Sequence, residues 1–193
     1  MKRALIIFIR KPELGKVKTR LAAQIGNENA LNIYRKLLHH TMLVAGAADC
    51  DKYVFTTGII EGEPWDHFQN YIQTGEDLGE RMFNAFDFVF KKKYHKVIII
   101  GSDCPGLTAA HIEEAFLKLE HKDVIIGPAI DGGFYLLGMK KMCSELFKNK
   151  EWSTSVVFEN TLTSIKKANL TFGQLEKLTD VDEVKDVPEK WLP

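Results

Sequence analysis

Val97-Ile98-Ile99-Ile100 is an unbroken run of β-branched residues between Lys96 and Gly101. Such side chains lose rotamer freedom in a helix and pack well on a pleated strand. No polar residue alternates with them, so the run reads as a strand with no solvent face. Ala4 to Ile9 is likewise apolar on both faces and reads as a central, parallel strand. Parallel strands need crossover connections, and helical patterns lie between the strand candidates. Leu31, Tyr34, Leu38, Met42 and Ala45 share one face of a helix predicted over Glu28–Ala47, and Met82, Phe83, Phe86, Val89 and Phe90 recur at helical spacing within Leu78–Lys93. A short helix is expected over Thr19–Gly26, one over Ala109–Leu119 capped by Thr108, and one from Ser153 or Thr154 to about Lys167. Further strands are expected at Lys52–Thr57, Val124–Ile126, Phe134–Gly138 and Leu170–Leu175, with a turn at Gly58–Pro64 and a loop at Ile72–Gly79.

Strands alternating with helices predict an α/β fold with a parallel-rich sheet covered on both faces. Ligands of such sheets sit outside the carboxyl ends of the strands. The chain of 193 residues fits one domain, residues 1–193. Its 26 basic and 26 acidic residues cancel, which argues against broad nucleic-acid or membrane-surface binding and confines any anion site to a local cluster. The first apolar run is too short for a membrane span or a signal-peptide core. Cys50, Cys104 and Cys143 are few and widely spaced, which fits a reducing cytoplasm and no cysteine zinc site.

Four segments carry candidate chemistry. Lys11-Pro12-Glu13-Leu14-Gly15-Lys16-Val17-Lys18-Thr19-Arg20 follows the first strand, with four cations in ten residues and a helix start behind them. Phosphates favour that combination, although a solvated basic loop has the same composition. It matches neither a Walker loop nor GxGxxG. Asp103, just after the buried run, is placed to hold Mg²⁺ or Mn²⁺ through hard oxygen ligands, or to act as a turn or cap residue. Asp131-Gly132-Gly133 either brings backbone close to a ligand, with Asp131 as base, or simply makes a hairpin turn. Asp180 and Asp182, two apart in an extended segment, point to one side and could share a metal, or belong to a solvated acidic tail.

These segments stand in a recognisable order. The chain resembles the radical-SAM/selenodomain-associated transferase family, a branch of the GT-A glycosyltransferase-like superfamily related to nucleotidyltransferases. The resemblance covers nearly the whole length through Lys11, Pro12, Gly15, Val17, Lys18, Thr19, Arg20 and Leu21; Gln73, Gly75, Asp77, Leu78, Gly79, Arg81 and Met82; Gly101, Asp103, Pro105 and Leu107; Asp131, Gly132, Gly133 and Tyr135; Trp152, Ser153 and Thr154; and Asp180, Val181 and Asp182. Phe134 stands where tyrosine is common, and Asp186-Val187 where Asp-Leu is usual.

The resemblance implies a GT-A-like (Rossmann-like) three-layer α/β/α sandwich with a mostly parallel mixed sheet. It also implies a metal-dependent transferase with a nucleotide-activated donor and a small-molecule acceptor. Glycosyl transfer from a nucleotide sugar is the first expectation, nucleotidyl transfer to a small phosphorylated acceptor the second, and nucleotide binding without catalysis the third. The nucleotide is expected against Phe8, Ile9, Arg10, Lys11, Gly15, Lys16, Lys18, Arg20, Gly75, Asp77 and Gly79. The acceptor is expected against Asp131, Gly132, Gly133, Trp152, Ser153 and Thr154, and Mg²⁺ or Mn²⁺ on Asp103, Asp180 and Asp182. Lys18 and Arg20 would stabilise the leaving group, and Asp131 would be the base.

Overall fold

The computed structural model describes residues 2–60, 65 and 67–192. Among the described residues, seven strands and five α-helices follow one another: β1 (Arg3–Ile9), α1 (Thr19–Ile25), α2 (Asn27–Ala47), β2 (Asp51–Thr56), β3 (Gln69–Ile72), α3 (Leu78–Phe90), β4 (Lys96–Ile100), α4 (Ala109–Lys118), β5 (Val124–Pro128), β6 (Phe134–Met139), α5 (Val157–Lys167) and β7 (Phe172–Gln174). The strands form one sheet in the order β3-β2-β1-β4-β6-β5-β7. Every pairing is parallel except those of β6, which runs antiparallel to β4 and β5. The expected three-layer α/β/α sandwich with a mostly parallel mixed sheet is therefore present.

β1 and β4 lie side by side at the centre, with Leu5 opposite Ile98 and Ile7 opposite Ile100. Alternation divides their side chains between two cores. Leu5, Ile7, Ile9, Ile98 and Ile100 pack with Leu21, Tyr34 and Leu37 of α1 and α2 and with Ile112 and Phe116 of α4. Ala4, Ile6, Phe8, Val97 and Ile99 pack with Met82, Phe86 and Val89 of α3 and Ile165 of α5. Both faces of β4 are covered, which is why its run contains no polar residue. Its first residue, Lys96, is 2% exposed and directs its ammonium to Glu120 and, at 3.3 Å, to the Phe116 carbonyl.

The chain runs from β1 to β2 and β3 on one side of the sheet, then returns through α3 to β4 on the other. Strand order thus reverses between β1 and β4, the place where connections diverge and leave a crevice at the carboxyl ends.

Three local differences from the sequence expectation have physical reasons. β3 has no counterpart in the sequence reading, which assigns nothing to Gln69–Tyr71 and puts Ile72 in a loop; the segment has neither alternation nor an apolar run. It is an edge strand whose half-buried Tyr71 packs 5.4 Å from Phe55 and 4.6 Å from Phe88 between ring centroids. α3 ends at Phe90, and Lys93 has φ 64 in the turn that follows. α5 begins at Val157, since Ser153 has φ 64 and Ser153 and Thr154 belong to the turn before it. Of the turn expected at Gly58–Pro64, residues 61–64 lie outside the described ones.

Phe86 has no exposed surface and joins α3 to the sheet. Phe86→Ala is expected to lower unfolding free energy by about 3–5 kcal/mol, from lost transfer energy plus a residual cavity. Urea denaturation should show a lower midpoint with an unchanged slope.

Candidate active site

A cleft of about 430 Å³ opens where β1 and β4 diverge. One wall starts at the end of β1. The Tyr34 hydroxyl, from α2, accepts from the Arg10 backbone N–H at 2.9 Å and donates to the Arg10 carbonyl at 3.0 Å. Burial pushes this phenol well above its ordinary pKa, so it stays a donor. The Gln73 amide donates to the carbonyls of Ile9 at 3.1 Å and Phe55 at 3.0 Å, tying β1 to β2. The strand end that faces a ligand is therefore fixed from both sides.

Lys18 is the N-cap of α1, with φ 48 and ψ 46. Left-handed backbone is uncommon for a residue with a Cβ and costs about 1–2 kcal/mol. The conformation carries the side chain inward, where it is 6% exposed. Its ammonium lies 2.8 Å from Asp103 Oδ1 and 4.0 Å from Asp182 Oδ1, and donates to the Val181 carbonyl at 2.7 Å. Arg20, mostly exposed, reaches Asp182 Oδ2 at 3.3 Å.

Asp103 follows β4 by three residues, and its backbone carbonyl receives the Val181 N–H at 2.8 Å. The tail is held further by Leu178 N–H to the Pro128 carbonyl at 3.1 Å and Ile130 N–H to the Leu178 carbonyl at 2.9 Å. Val181 is fully buried, so the aspartates on either side of it both turn into the cleft. Asp180 Oδ1 is shielded from solvent and has no hydrogen-bond partner. Burial first, then the charges of Asp103 and Asp131, push the Asp180 carboxyl up to about 7, against the pull of Lys18.

The opposite wall comes from β6, α3 and the segment before α5. Asp131 sits in the loop joining β5 to β6, where its Oδ1 accepts from the Gly133 N–H at 2.9 Å and Ala129 N–H closes the turn on the Gly133 carbonyl at 3.0 Å. The hairpin reading and the site reading of Asp131-Gly132-Gly133 thus hold together, because the hairpin tip faces the cleft. Gly132 has φ 92, its carbonyl accepts from Phe158 N–H at 2.9 Å, and a Cβ there would strike the Ser155 carbonyl. A Cβ at Gly79 would strike the Trp152 indole. Trp152 therefore lies directly on the first turn of α3, with Leu78, Met82, Phe134 and Val157 around it in the cleft wall.

Of the expected nucleotide contacts, Phe8, Ile9, Arg10, Lys18 and Arg20 line the cleft. Lys11 and Lys16 do not; both pair with Glu13, at 3.3 and 3.1 Å, and hold its carboxyl below the usual range. Gly15, at φ 73, turns that outer loop. Gly75, Asp77 and Gly79 stand behind the wall: Arg81 Nε donates to the Gly75 carbonyl at 3.0 Å, and Asp77 caps α3 by accepting from Glu80 N–H at 2.8 Å. Among the expected acceptor and metal residues, Asp103, Asp131, Gly133, Trp152, Ser153, Thr154, Asp180 and Asp182 line the cleft, and Gly132 supports it. Tyr34, Ser102, Leu78, Met82, Phe134 and Val157 line it as well. Tyr34 looked like one more apolar position on α2, and only its hydroxyl hinted at a polar task. Among the described residues, no three His, Cys, Asp or Glu side chains form a ready-made metal cluster, and the Lys18 ammonium stands between Asp103 and Asp182.

The family model described as an uncharacterized protein conserved in bacteria (DUF2064) matches residues 38–154. The chain belongs to this family. The match takes in the strand-four aspartate, the hairpin tip and Trp152. A search of the curated proteins finds no match. Among solved structures, a protein of Desulfovibrio desulfuricans G20, provisionally assigned as a nucleotide-diphospho-sugar transferase, is 32% identical; the alignment covers 95% of this chain and 84% of that one, with a TM-score of 0.89. Rv0371c of Mycobacterium tuberculosis H37Rv is 14% identical over 96% of this chain and 95% of its own, with a TM-score of 0.65. A manganese complex of the same mycobacterial protein aligns at 10% identity over 96% of both chains, with a TM-score of 0.59. These two low-identity matches show a shared fold.

Two outcomes are expected. Between the ordinary aspartate value of 3.8 and about 7, the folded chain holds a proton on Asp180 that the unfolded chain has released. Stability therefore falls as pH rises through that window and levels off above it. Asp180→Asn removes the penalty, so without divalent metal the variant should gain on the parent across the window, reaching on the order of 2–4 kcal/mol above pH 7. Thermal melts of both proteins at pH 4 and pH 8 check this. Gly79→Ala should displace the indole at a cost of about 1–3 kcal/mol, seen as altered tryptophan emission in the folded protein.

Proposed function

We propose that this chain is a glycosyltransferase that takes its sugar from a nucleotide-diphosphate donor with the help of a divalent metal. One observation carries the proposal. At the switch point between β1 and β4, a half-buried aspartate with a shielded, partnerless oxygen sits among further carboxylates, beside Arg10, Lys18 and Arg20, the cations among the described lining residues. An isolated group of that kind costs stability and is retained where a ligand answers it. The assignment of the Desulfovibrio relative as a nucleotide-diphospho-sugar transferase supports the same reading. So do the six ordered motifs, from which kinship to the radical-SAM/selenodomain-associated transferases is also inferred. We further take the whole chain as a single transferase unit working in the cytoplasm, in keeping with three free cysteines.

The chemistry of the donor set suits a hard divalent cation, which would take up the carboxylates once the Lys18 ammonium turns from between Asp103 and Asp182 to the diphosphate. Asp103, Asp180 and Asp182 offer oxygen ligands of the kind Mg²⁺ and Mn²⁺ prefer, and Asp180 has an oxygen to give. The manganese complex of the mycobacterial structural neighbour is in line with this choice. When bound, such an ion supplies charge neutralisation for the departing diphosphate. The protein's own side chains do the rest. The end of β1, fixed by Tyr34 and Gln73, presents backbone groups to the nucleoside. Lys18 and Arg20, the cations nearest the carboxylates, stabilise the diphosphate as its charge develops. Asp131, on the opposite wall, takes the proton of the attacking hydroxyl. The cleft lining holds Lys18 and Arg20 and not Lys16, which pairs with Glu13 at the surface, in keeping with a diphosphate rather than a longer triphosphate.

Incubation with nucleotide sugars and Mg²⁺ or Mn²⁺ should release nucleoside diphosphate. Asp103→Asn should lower that rate by about 10²-fold or more and weaken metal-dependent nucleotide binding. Unchanged binding in the variant would remove Asp103 from the metal site. Release of pyrophosphate from a nucleoside triphosphate and a phosphorylated acceptor would assign nucleotidyl transfer instead. Binding without any turnover would leave a nucleotide-binding protein.

A further inference from the structure

The two halves of the cleft differ in charge. Its lining cations, Arg10, Lys18 and Arg20, all come from the segment after β1. The half formed by Leu78, Met82, Phe134, Trp152 and Val157 has Asp131 and the hydroxyl residues Ser153 and Thr154 beside it, and no cation among the described lining residues. Two basic side chains near that half, Arg81 and Lys150, are engaged elsewhere. Arg81 is turned back onto the Gly75 carbonyl at 3.0 Å. The Lys150 ammonium donates to the Asn160 carbonyl at 3.0 Å and to Ser164 Oγ at 2.9 Å, on α5.

A phosphate ester placed there would bring close to two negative charges against Asp131, with no cation among the described lining residues of that half to meet them. An uncharged polyhydroxylated ring meets the same surface well. Its C–H face covers the indole and neighbouring apolar side chains, and its hydroxyls donate to carboxylate and accept from Ser153 and Thr154. We infer that the acceptor is an unphosphorylated sugar or polyol, seated on Trp152 with one hydroxyl at Asp131. This inference rests on the transferase reading above and names the acceptor class for it.

The transfer then balances without another reactant. The acceptor oxygen forms a bond to the anomeric carbon of the donor sugar. The bond from that carbon to the diphosphate oxygen breaks, and its electron pair leaves with the diphosphate. The acceptor's hydroxyl proton passes to Asp131. A protonated amine in the same seat has no lone pair, so the attacking atom is a hydroxyl oxygen, even though carboxylates and an indole attract cations.

The test uses one ring in three charge states, glucose, glucosamine and glucose 6-phosphate, together with uncharged ribose and inositol. The full-length protein is loaded with Mg²⁺ and a nucleoside diphosphate, which occupies the cationic half. Ligand-observed saturation-transfer NMR should show contact from uncharged rings and none above them from glucose 6-phosphate. Trp152→Ala should weaken that contact about tenfold, Trp152→Phe should retain most of it, and the nucleotide signal should persist in both. Thr154→Lys should create glucose 6-phosphate contact by adding the missing cation. Tighter contact from the phosphate or the amine in the unmodified protein, or no contact from any uncharged ring, would overturn the inference. The nucleotide's own signal separates the two claims: its absence counts against the donor site, whatever the sugars do.

Discussion

The Lys18 ammonium joins three parts of the chain that are far apart in sequence. It reaches Asp103 after β4 and the Val181 carbonyl of the tail from a position just after β1. Local preferences all run against it. Helix N-caps favour short oxygen-bearing side chains, a cation at a helix N-terminus opposes the macrodipole, and the backbone is left-handed. Charge-assisted contacts with a carboxylate and a carbonyl offset these costs. The tail then lies across the carboxyl edge of the sheet, and Val181 fills the core beneath it. Without that tie, Asp103 and Asp182 would be left to repel one another across the cleft.

Much of the fold was legible because burial on both sides leaves a plain signature. The apolar runs of β1 and β4 have no solvent face, and the sequence shows it residue by residue. β3 was illegible for the opposite reason: an edge strand with one packed side chain needs almost no pattern. The site divided along similar lines. Asp103 and Arg20 sit where a strand end and a helix start put them, and both positions can be counted from the elements. Lys11 and Lys16 have the same composition as Lys18 and face outward, since Glu13 lies between them. Only the three-dimensional course of the loop distinguishes them. From the residues alone Asp180 fitted a solvated tail as well as a metal ligand, and only the resemblance singled it out as a ligand. Its shielded oxygen arises from contacts with β5 and the strand-four loop, which no local pattern contains.

Gly79 and Gly132 belong to separate motifs and fulfil one structural purpose. Each leaves a space without a Cβ, and one short segment, from Trp152 to Phe158, settles into both. A glycine in a sequence motif invites thoughts of backbone close to a ligand. Here the close approach is made by the protein's own chain. The wall opposite Lys18 and Arg20 is thereby built on α3 and on the β5–β6 hairpin at once.

The reversed direction of β6 has its own outcome. Two parallel neighbours can be joined only by a long crossover, usually a helix. β6 instead arrives from β5 through a five-residue loop, residues 129–133, and delivers its amino end to the cleft. The rim that holds Asp131 thus hangs from a hairpin whose two legs are anchored in the sheet. Apart from Gly132, against which Ser155 and Phe158 are seated, its tip is supported by strand pairing rather than by a helix. The position of Asp131 is thus set by strand pairing on one side of the cleft, and that of Lys18 by the loop after β1 on the other.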